Sequence, residues 1–255
     1  MFIDTHCHIE KQYYDDIDSL IKDNINAGCS KMIVSGCDLN GINETISLLP
    51  KYDSVYATIG FHPEEVDNLP DNYIDFLEDL IKNNKKIVGI GEIGLDYHYS
   101  KDDKDKQIEL FESQLKLAER LDMPVCIHTR DATEDTINSL KKFNVRGVIH
   151  CFGGSYETAQ IYIKMGFKLG IGGTVTFKNS KLPDVLARLS LNDIVLETDS
   201  PYLTPVPFRG KTNSSKNIIY VIDKLCSVFN TDSETIQNIT NKNVKSVYNI
   251  AQMKM

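Results

Sequence analysis

His6 and His8 bracket a cysteine at the end of a short apolar run, and this H-x-H spacing carries the first chemical content of the chain. Side chains two apart on a strand point to one face, so both imidazoles can be presented together. His62, His128 and His150 each end or follow a β-rich run, as do the carboxylates of Glu92 and Asp199. Imidazole and carboxylate are the ligands of catalytic divalent cations. One histidine at a strand end is most often a hydrogen-bonded structural residue. Five of the six histidines in such positions form a joint pattern that points to a metal centre. The sixth, His98, stands in a charged loop and is read as structural. Cys7 alternates to the face opposite His6 and His8 and is read as packing.

Cations and aromatics gather near the same run ends. Arg130 is two residues after His128, and Arg209 and Lys211 lie in the loop that follows Asp199. Guanidinium groups pair with phosphate in bidentate fashion. In the segment from Thr204 to Lys211, Pro205 and Pro207 stiffen the backbone and Gly210 permits close approach, which suits a shaped site. Tyr13, Tyr14, Tyr97, Tyr99 and Tyr202 offer faces on which bases of a single strand could stack. Surface packing is the commoner use of such tyrosines.

The elements that must position these groups alternate. Strand-like runs occupy 2–6, 31–36, 55–60, 87–92, 125–128, 147–150, 167–172 and 194–199. Helical periodicity separates them, as in 72–81, with Ile74, Leu77 and Ile81, and in 107–121, with Leu110, Gln114, Leu117 and Leu121. Eight strands alternating with helices over about 200 residues predict an α/β fold, a closed (β/α)₈ TIM-type barrel with right-handed crossovers. Such barrels carry their chemistry at the strand C-termini. No G-x-G-x-x-G turn follows the first run, which argues against dinucleotide binding. The tail beyond Lys211 predicts two extra C-terminal helices, the second opened by a capping box at Thr231 and Glu234.

A length of 255 residues fits one barrel domain spanning 1–255. A net charge of −8 argues against a broad nucleic-acid-coating face. It leaves room for an enzyme whose metal ions and few local cations meet a phosphodiester. The six cysteines are scattered without a C-x-x-C pair and are expected to be reduced thiols. Without a signal peptide or a span of roughly 20 apolar residues, a cytoplasmic protein with no membrane association is expected.

The chain resembles the TatD family of metal-dependent deoxyribonucleases, within the amidohydrolase-like barrels. The resemblance runs through the stretches from Phe2 to His8, Gly60 to Pro63, Gly91 to Tyr97, Phe111 to Ala118, Pro124 to Ala132, Gly147 to Gly154 and Leu196 to Pro205, then Arg209 to Lys211. It implies two divalent metal ions (Mg, Mn or Zn), with His6, His8 and Asp199 on one, His128 and His150 on the other, and Glu92 as bridge. Asp199 and Glu92 would be catalytic, and His62, Arg130, Arg209 and Lys211 would bind substrate. The implied reaction is hydrolysis of DNA phosphodiester bonds by a two-metal-activated hydroxide, as a 3′–5′ exodeoxyribonuclease on single-stranded ends. The competing enzyme reading is hydrolysis of an ester or amide, such as deacylation of aminoacyl-tRNA, on the same site. A metal-binding scaffold would not need a complete ligand set with an open position. Two departures stand out: Glu64 and Glu65 follow His62-Pro63 where some relatives have a second histidine, and Ser214-Ser215 stand near Asn213 where a proline is common.

Overall fold

A computed structural model describes residues 1–99 and 102–248. Eight parallel strands follow in sequence order: β1 (Phe2–Cys7), β2 (Cys29–Gly36), β3 (Val55–Ile59), β4 (Ile87–Asp96), β5 (Val125–Arg130), β6 (Gly147–Ile149), β7 (Phe167–Ile171) and β8 (Ile194–Leu196). Between and after them lie α1 (Ile17–Asn26), α2 (Leu39–Leu48), α3 (Tyr73–Asn83), α4 (Lys104–Leu121), α5 (Thr133–Leu140), α6 (Tyr156–Lys164), α7 (Leu182–Leu186), α8 (Ile218–Phe229) and α9 (Ser233–Tyr248). The sheet closes where the ends of β1 and β8 meet. Cys7 bridges Ser200 in parallel, the His8 N–H donates to Ser200 O at 2.7 Å, and the Asp199 N–H donates to His6 O at 2.9 Å. The expected eight-stranded barrel with two further C-terminal helices is thus the observed fold.

Local chemistry explains the elements. The strands are buried on both faces and read as near-continuous apolar runs, as parallel strands under helices must. Asp16 caps α1 and Asp38 caps α2 with side-chain hydrogen bonds to first-turn amides. The cap of α9 sits one residue later than the sequence pattern suggests. Asp232 accepts from the Thr235 N–H at 2.8 Å, because its carboxylate is a better acceptor for first-turn donors than the Thr231 hydroxyl. Ile42, Ile218 and Leu225, all fully buried, illustrate the apolar stripes by which helices meet the sheet.

The two ends of the barrel are treated differently. At the end where the strands begin, Val244, Val247 and Tyr248 of α9 form a small apolar cluster with Ile3, Ile33, Val148 and Val195. Asn243 Nδ2 donates to Leu191 O and Ile194 O at 2.8 and 2.7 Å, fastening α9 beneath β8. This closure leaves the opposite end, where the strands finish, as the open mouth.

Helix α4 serves the mouth as well as the core. Gln114 and Gln107 are seven residues apart, two turns along one buried face. Gln114 accepts from the Phe61 N–H at 2.8 Å and donates to Phe61 O at 3.0 Å. Gln107 accepts from the Asp96 N–H and donates to Asp96 O, both at 2.9 Å. Each amide replaces a missing strand neighbour for backbone that would otherwise be buried without partners. One clamp fixes the backbone next to His62 and the other fixes Asp96. At Gly94 a β-carbon would lie 1.9 Å from His128 O, so only glycine lets β4 and β5 approach at the level of the chemistry.

Candidate metal centre

The side chains picked from sequence converge in the mouth. Glu92 projects from the middle of β4 and lies at their centre. Its Oε2 stands 3.4 Å from His6 Nε2 and 3.6 Å from His8 Nε2, and Asp199 Oδ1 faces the same two nitrogens at 3.4 and 3.6 Å. Its Oε1 stands 2.9 Å from both His128 Nδ1 and His150 Nε2, and 3.7 Å from His62 Nε2. His6, His8 and Glu92 form one ligand cluster, His6, His150 and Asp199 another, and His62, Glu92 and His128 a third.

The residues fit a divalent cation. His6 Nε2 is buried and forms no hydrogen bond although two carboxylate oxygens lie 3.4 Å away. Ligands held about 2.0–2.2 Å from a tetrahedral ion stand about 3.4 Å from one another. Four donor atoms at that mutual spacing, converging without bonding each other, are arranged as around a shared ion. His62 enters this constellation as a ligand candidate, in keeping with the histidine pattern of the sequence, whereas the family resemblance implied a substrate contact.

Outer partners set which nitrogen faces inward. His8 Nδ1 lies 3.0 Å from Ser35 O and must carry the proton, leaving Nε2 free as an acceptor or ligand. His6 Nδ1 is 3.3 Å from Cys126 Sγ, and His128 Nε2 is 3.0 Å from Asp96 Oδ2. Asp96 itself accepts from the His98 N–H at 2.9 Å. Replacing Asp96 by alanine is expected to weaken metal affinity about 10- to 100-fold, with asparagine partly restoring it. Titration of the variants with Mn²⁺ or Zn²⁺ by calorimetry reads this, and unchanged affinity in the alanine variant would remove Asp96 from the centre.

The electrostatics follow from burial against pairing. Burial opposes the Glu92 charge, but the surrounding imidazoles of His150, His6 and His128 outweigh it and hold the carboxyl well below its usual range. Asp199 is likewise held low, its burial overcome by His6 and His8. Burial also opposes a charged His128, yet Asp96 and Glu92 raise it to about 9. Burial dominates at His62 and lowers it to about 3. At Glu197 burial pushes the carboxyl up to about 8, and at Asp4 to about 6.

Several of these groups escaped the sequence reading. Asp4 accepts from the Thr198 N–H at 3.0 Å and from its hydroxyl at 2.7 Å, tying β1 to the turn that carries Asp199. Glu197 accepts from the Cys151 N–H beside His150, in space that a β-carbon at Gly170 would fill. Asp96 was legible in part, since it shares the strand face of Glu92 four residues earlier. Acids inside or next to apolar strand-like runs were the available signal for all three.

Around the ligands is a cavity of about 490 Å³ whose lining includes Arg130, Tyr13, Tyr99 and Tyr202. The Arg130 guanidinium stacks over the Tyr99 ring at 5.3 Å, and the Tyr13 and Tyr202 hydroxyls meet at 2.7 Å. Tyr14 donates to Asn213 O and Tyr97 is buried, so these two are structural. The same lining carries Glu10, Asp38, Glu64 and Glu65. Arg209 and Lys211 do not line this cavity. They line a neighbouring hollow of about 380 Å³ that shares Tyr202 with it. Asn213 holds that loop by donating to Thr198 O and Tyr202 O, so the neighbouring serines leave it ordered without a proline. The His98 ring pairs with Asp131 at 3.0 Å and Cys7 is buried in the core, and neither side chain belongs to a ligand cluster. Among the described residues, no helix is long and apolar enough to cross a membrane.

Known proteins resemble this chain along nearly its whole length. The chain is 38% identical over 255 residues to an uncharacterized metal-dependent hydrolase, YabD, of Bacillus subtilis (strain 168), covering 98% of this chain and 100% of the relative. The crystal structure of YjjV, a TatD homologue from Escherichia coli K12, superposes with a TM-score of 0.92 at 31% identity, covering 97% of this chain and 98% of that one. A phosphotriesterase homology protein from Escherichia coli shares the fold at a TM-score of 0.72 and 15% identity, with 97% and 98% covered. The family model described as TatD related DNase matches residues 3–249. The chain belongs to the TatD family of metal-dependent hydrolases.

Proposed function

We propose that the protein hydrolyses phosphodiester bonds of DNA, removing nucleotides from the 3′ ends of single strands. The observation that carries this is Glu92, whose two carboxylate oxygens face separate sets of imidazoles in a pocket whose lining includes Arg130, Tyr13, Tyr99 and Tyr202. Two ions would be held, one by His6, His8 and Asp199, the other by His128 and His150, with Glu92 between them. Mg²⁺, Mn²⁺ and Zn²⁺ all suit this donor set. Ions bound there would lower the pKa of water and neutralise charge on the phosphoryl oxygens.

The chain's own residues do the rest. Asp199 is ionised and faces the first imidazole pair, where it orients the attacking water and takes its proton. The new bond joins the water oxygen to phosphorus, and the bond from phosphorus to the strand's 3′ oxygen breaks. Arg130 pairs with the phosphate, and His62 lies where it can meet substrate or complete the second ligand set. Tyr99 and Tyr202 offer exposed faces for bases. Glu10, Asp38, Glu64 and Glu65 in the same lining repel a polyanion, which favours a strand that ends at the ligands over one that passes through.

A single-stranded oligonucleotide labelled at its 5′ end, incubated with Mg²⁺ or Mn²⁺, is expected to shorten stepwise from the 3′ end. Its duplex, with both ends blocked by hairpins, is expected to stay intact. Internal cuts of the blocked duplex would contradict the end-directed action. Complete inertness toward DNA of protein shown to be metal-loaded would transfer the proposal to an ester or amide bond.

A further inference from the structure

Arg209 and Lys211 are presented by the loop after β8, and neither lines the metal pocket. They line the hollow of about 380 Å³ beside it, together with Tyr202, Thr204 and Thr212. That lining contains no carboxylate, whereas the metal pocket carries Glu10, Asp38, Glu64 and Glu65. In a chain of net charge −8, a hollow with two cations and no acid is set apart and favours an anion.

The two side chains are held in place without being neutralised. The Arg209 guanidinium lies over the Phe177 ring at 3.7 Å, and the Lys211 ammonium stands 5.5 Å from the centre of the Phe208 ring. Among the described residues, neither forms an ion pair with a carboxylate. Stacking engages the face of a guanidinium and leaves its N–H edge for a phosphate. The loop beneath them is tied down as well. The Phe208 N–H donates to Pro205 O at 2.8 Å, the Lys211 N–H to Phe208 O at 3.1 Å and the Val206 N–H to Thr176 Oγ1 at 2.9 Å. Gly210, at φ +83°, makes the turn between the two cations in a conformation that suits glycine. Cations on so ordered a loop lose little freedom on binding. Tyr202 joins this hollow to the metal pocket, since it belongs to both linings. Its ring is half exposed, lies 6.4 Å from that of His8, and is fixed through its hydroxyl, 2.7 Å from that of Tyr13.

We infer that this hollow binds the phosphodiester group immediately upstream of the one being cleaved, with the base between them on the Tyr202 ring. A strand whose 3′ end lies at the ligands then meets an aromatic face followed by two cations, the combination by which proteins track single strands. The inference rests on the phosphodiester chemistry proposed above and deepens it by dividing the cations: Arg130 serves the reacting group, and Arg209 and Lys211 serve the strand behind it.

Binding of a fluorescein-labelled single-stranded oligothymidylate is measured by anisotropy in Ca²⁺, with the strand recovered intact. The proteins are the wild type, the double variant Arg209→Ala/Lys211→Ala, and Thr212→Glu, which brings an acid into the lining at an exposed position. Both variants are expected to melt like the wild type and to bind the strand about tenfold more weakly. The slope of log affinity against log salt is expected to flatten by about 0.7 in the alanine variant, the loss of one phosphate contact on a single strand. Strands carrying one methylphosphonate at each linkage in turn locate that phosphate. In the wild type, neutralising the linkage next to the 3′-terminal one is expected to weaken binding about tenfold, and in the alanine variant to have no further effect. The inference is overturned when every linkage keeps its full effect in the alanine variant. It is overturned equally when only the 3′-terminal linkage loses its effect, since the cations would then serve the reacting group. A strand bound with the expected dependence yet left uncut in Mn²⁺ keeps the hollow and removes the cleavage proposal. A strand that is cut although no upstream linkage depends on Arg209 and Lys211 does the reverse.

Discussion

Glu92→Gln is expected to lower kcat/KM on DNA by at least about 10³-fold, the scale of losing a preorganised charge at a reacting centre. Glutamine keeps the volume and one acceptor oxygen but replaces the other with an NH₂ donor. In the present geometry that donor would face either His6 and His8 or His128 and His150. Whichever way it turns, one ligand set loses an anionic oxygen. The metal content of purified protein is therefore expected to fall along with turnover. The variant should still fold, because Glu92 makes its contacts to the other ligand candidates at the mouth and the apolar barrel core lies elsewhere. Far-ultraviolet circular dichroism checks folding, and elemental analysis counts the ions. A folded Glu92→Gln protein with wild-type turnover and full metal content would remove Glu92 from the centre.

Stripping the metal with EDTA is expected to abolish hydrolysis and to lower the melting temperature by roughly 10 °C. An ion present at 1,000 times its Kd stabilises the native state by about 4 kcal/mol, and in a chain of this size each kcal/mol moves Tm by about 2–4 °C. The stripped state leaves the Glu92 and Asp199 carboxylates buried among imidazoles that must share protons to balance them. Readdition of Mn²⁺ or Zn²⁺ should restore both properties, and calorimetric scans with and without chelator measure the shift. A protein verified to be metal-free that melts and hydrolyses like the untreated sample would exclude a metal centre at these residues.

The barrel and most of the candidate ligands were legible because both follow local rules. Alternating apolar runs and helical stripes are periodic signals, and a strand that ends at a barrel mouth places its last polar side chain there. His6 and His8, Glu92, His128, His150 and Asp199 could be picked for that reason, before any contact between them was known. Resemblance to a family then supplied a pairing of ligands that spacing alone does not fix.

Tertiary structure decided what depends on residues far apart in the chain. His128 and Asp96 meet across 32 positions, and Asp4 reaches Thr198 across 194. No periodicity records such pairs, since each side chain is locally compatible with a solvated loop. The same holds for Gln107 and Gln114, which look like ordinary polar helix positions until the unpaired backbone of Asp96 and Phe61 is brought to them. Arg209 and Lys211 follow Asp199 in sequence, yet the fold of their loop gives them a separate hollow beside the metal pocket. The sequence by itself determined the scaffold and the kinds of candidate ligand at its mouth, because secondary-structure periodicity and strand ends are local. The sharing of Glu92 between two sets of imidazoles and the orientation of each ring were decided only by closure of the barrel, which alone brings those groups within bonding distance.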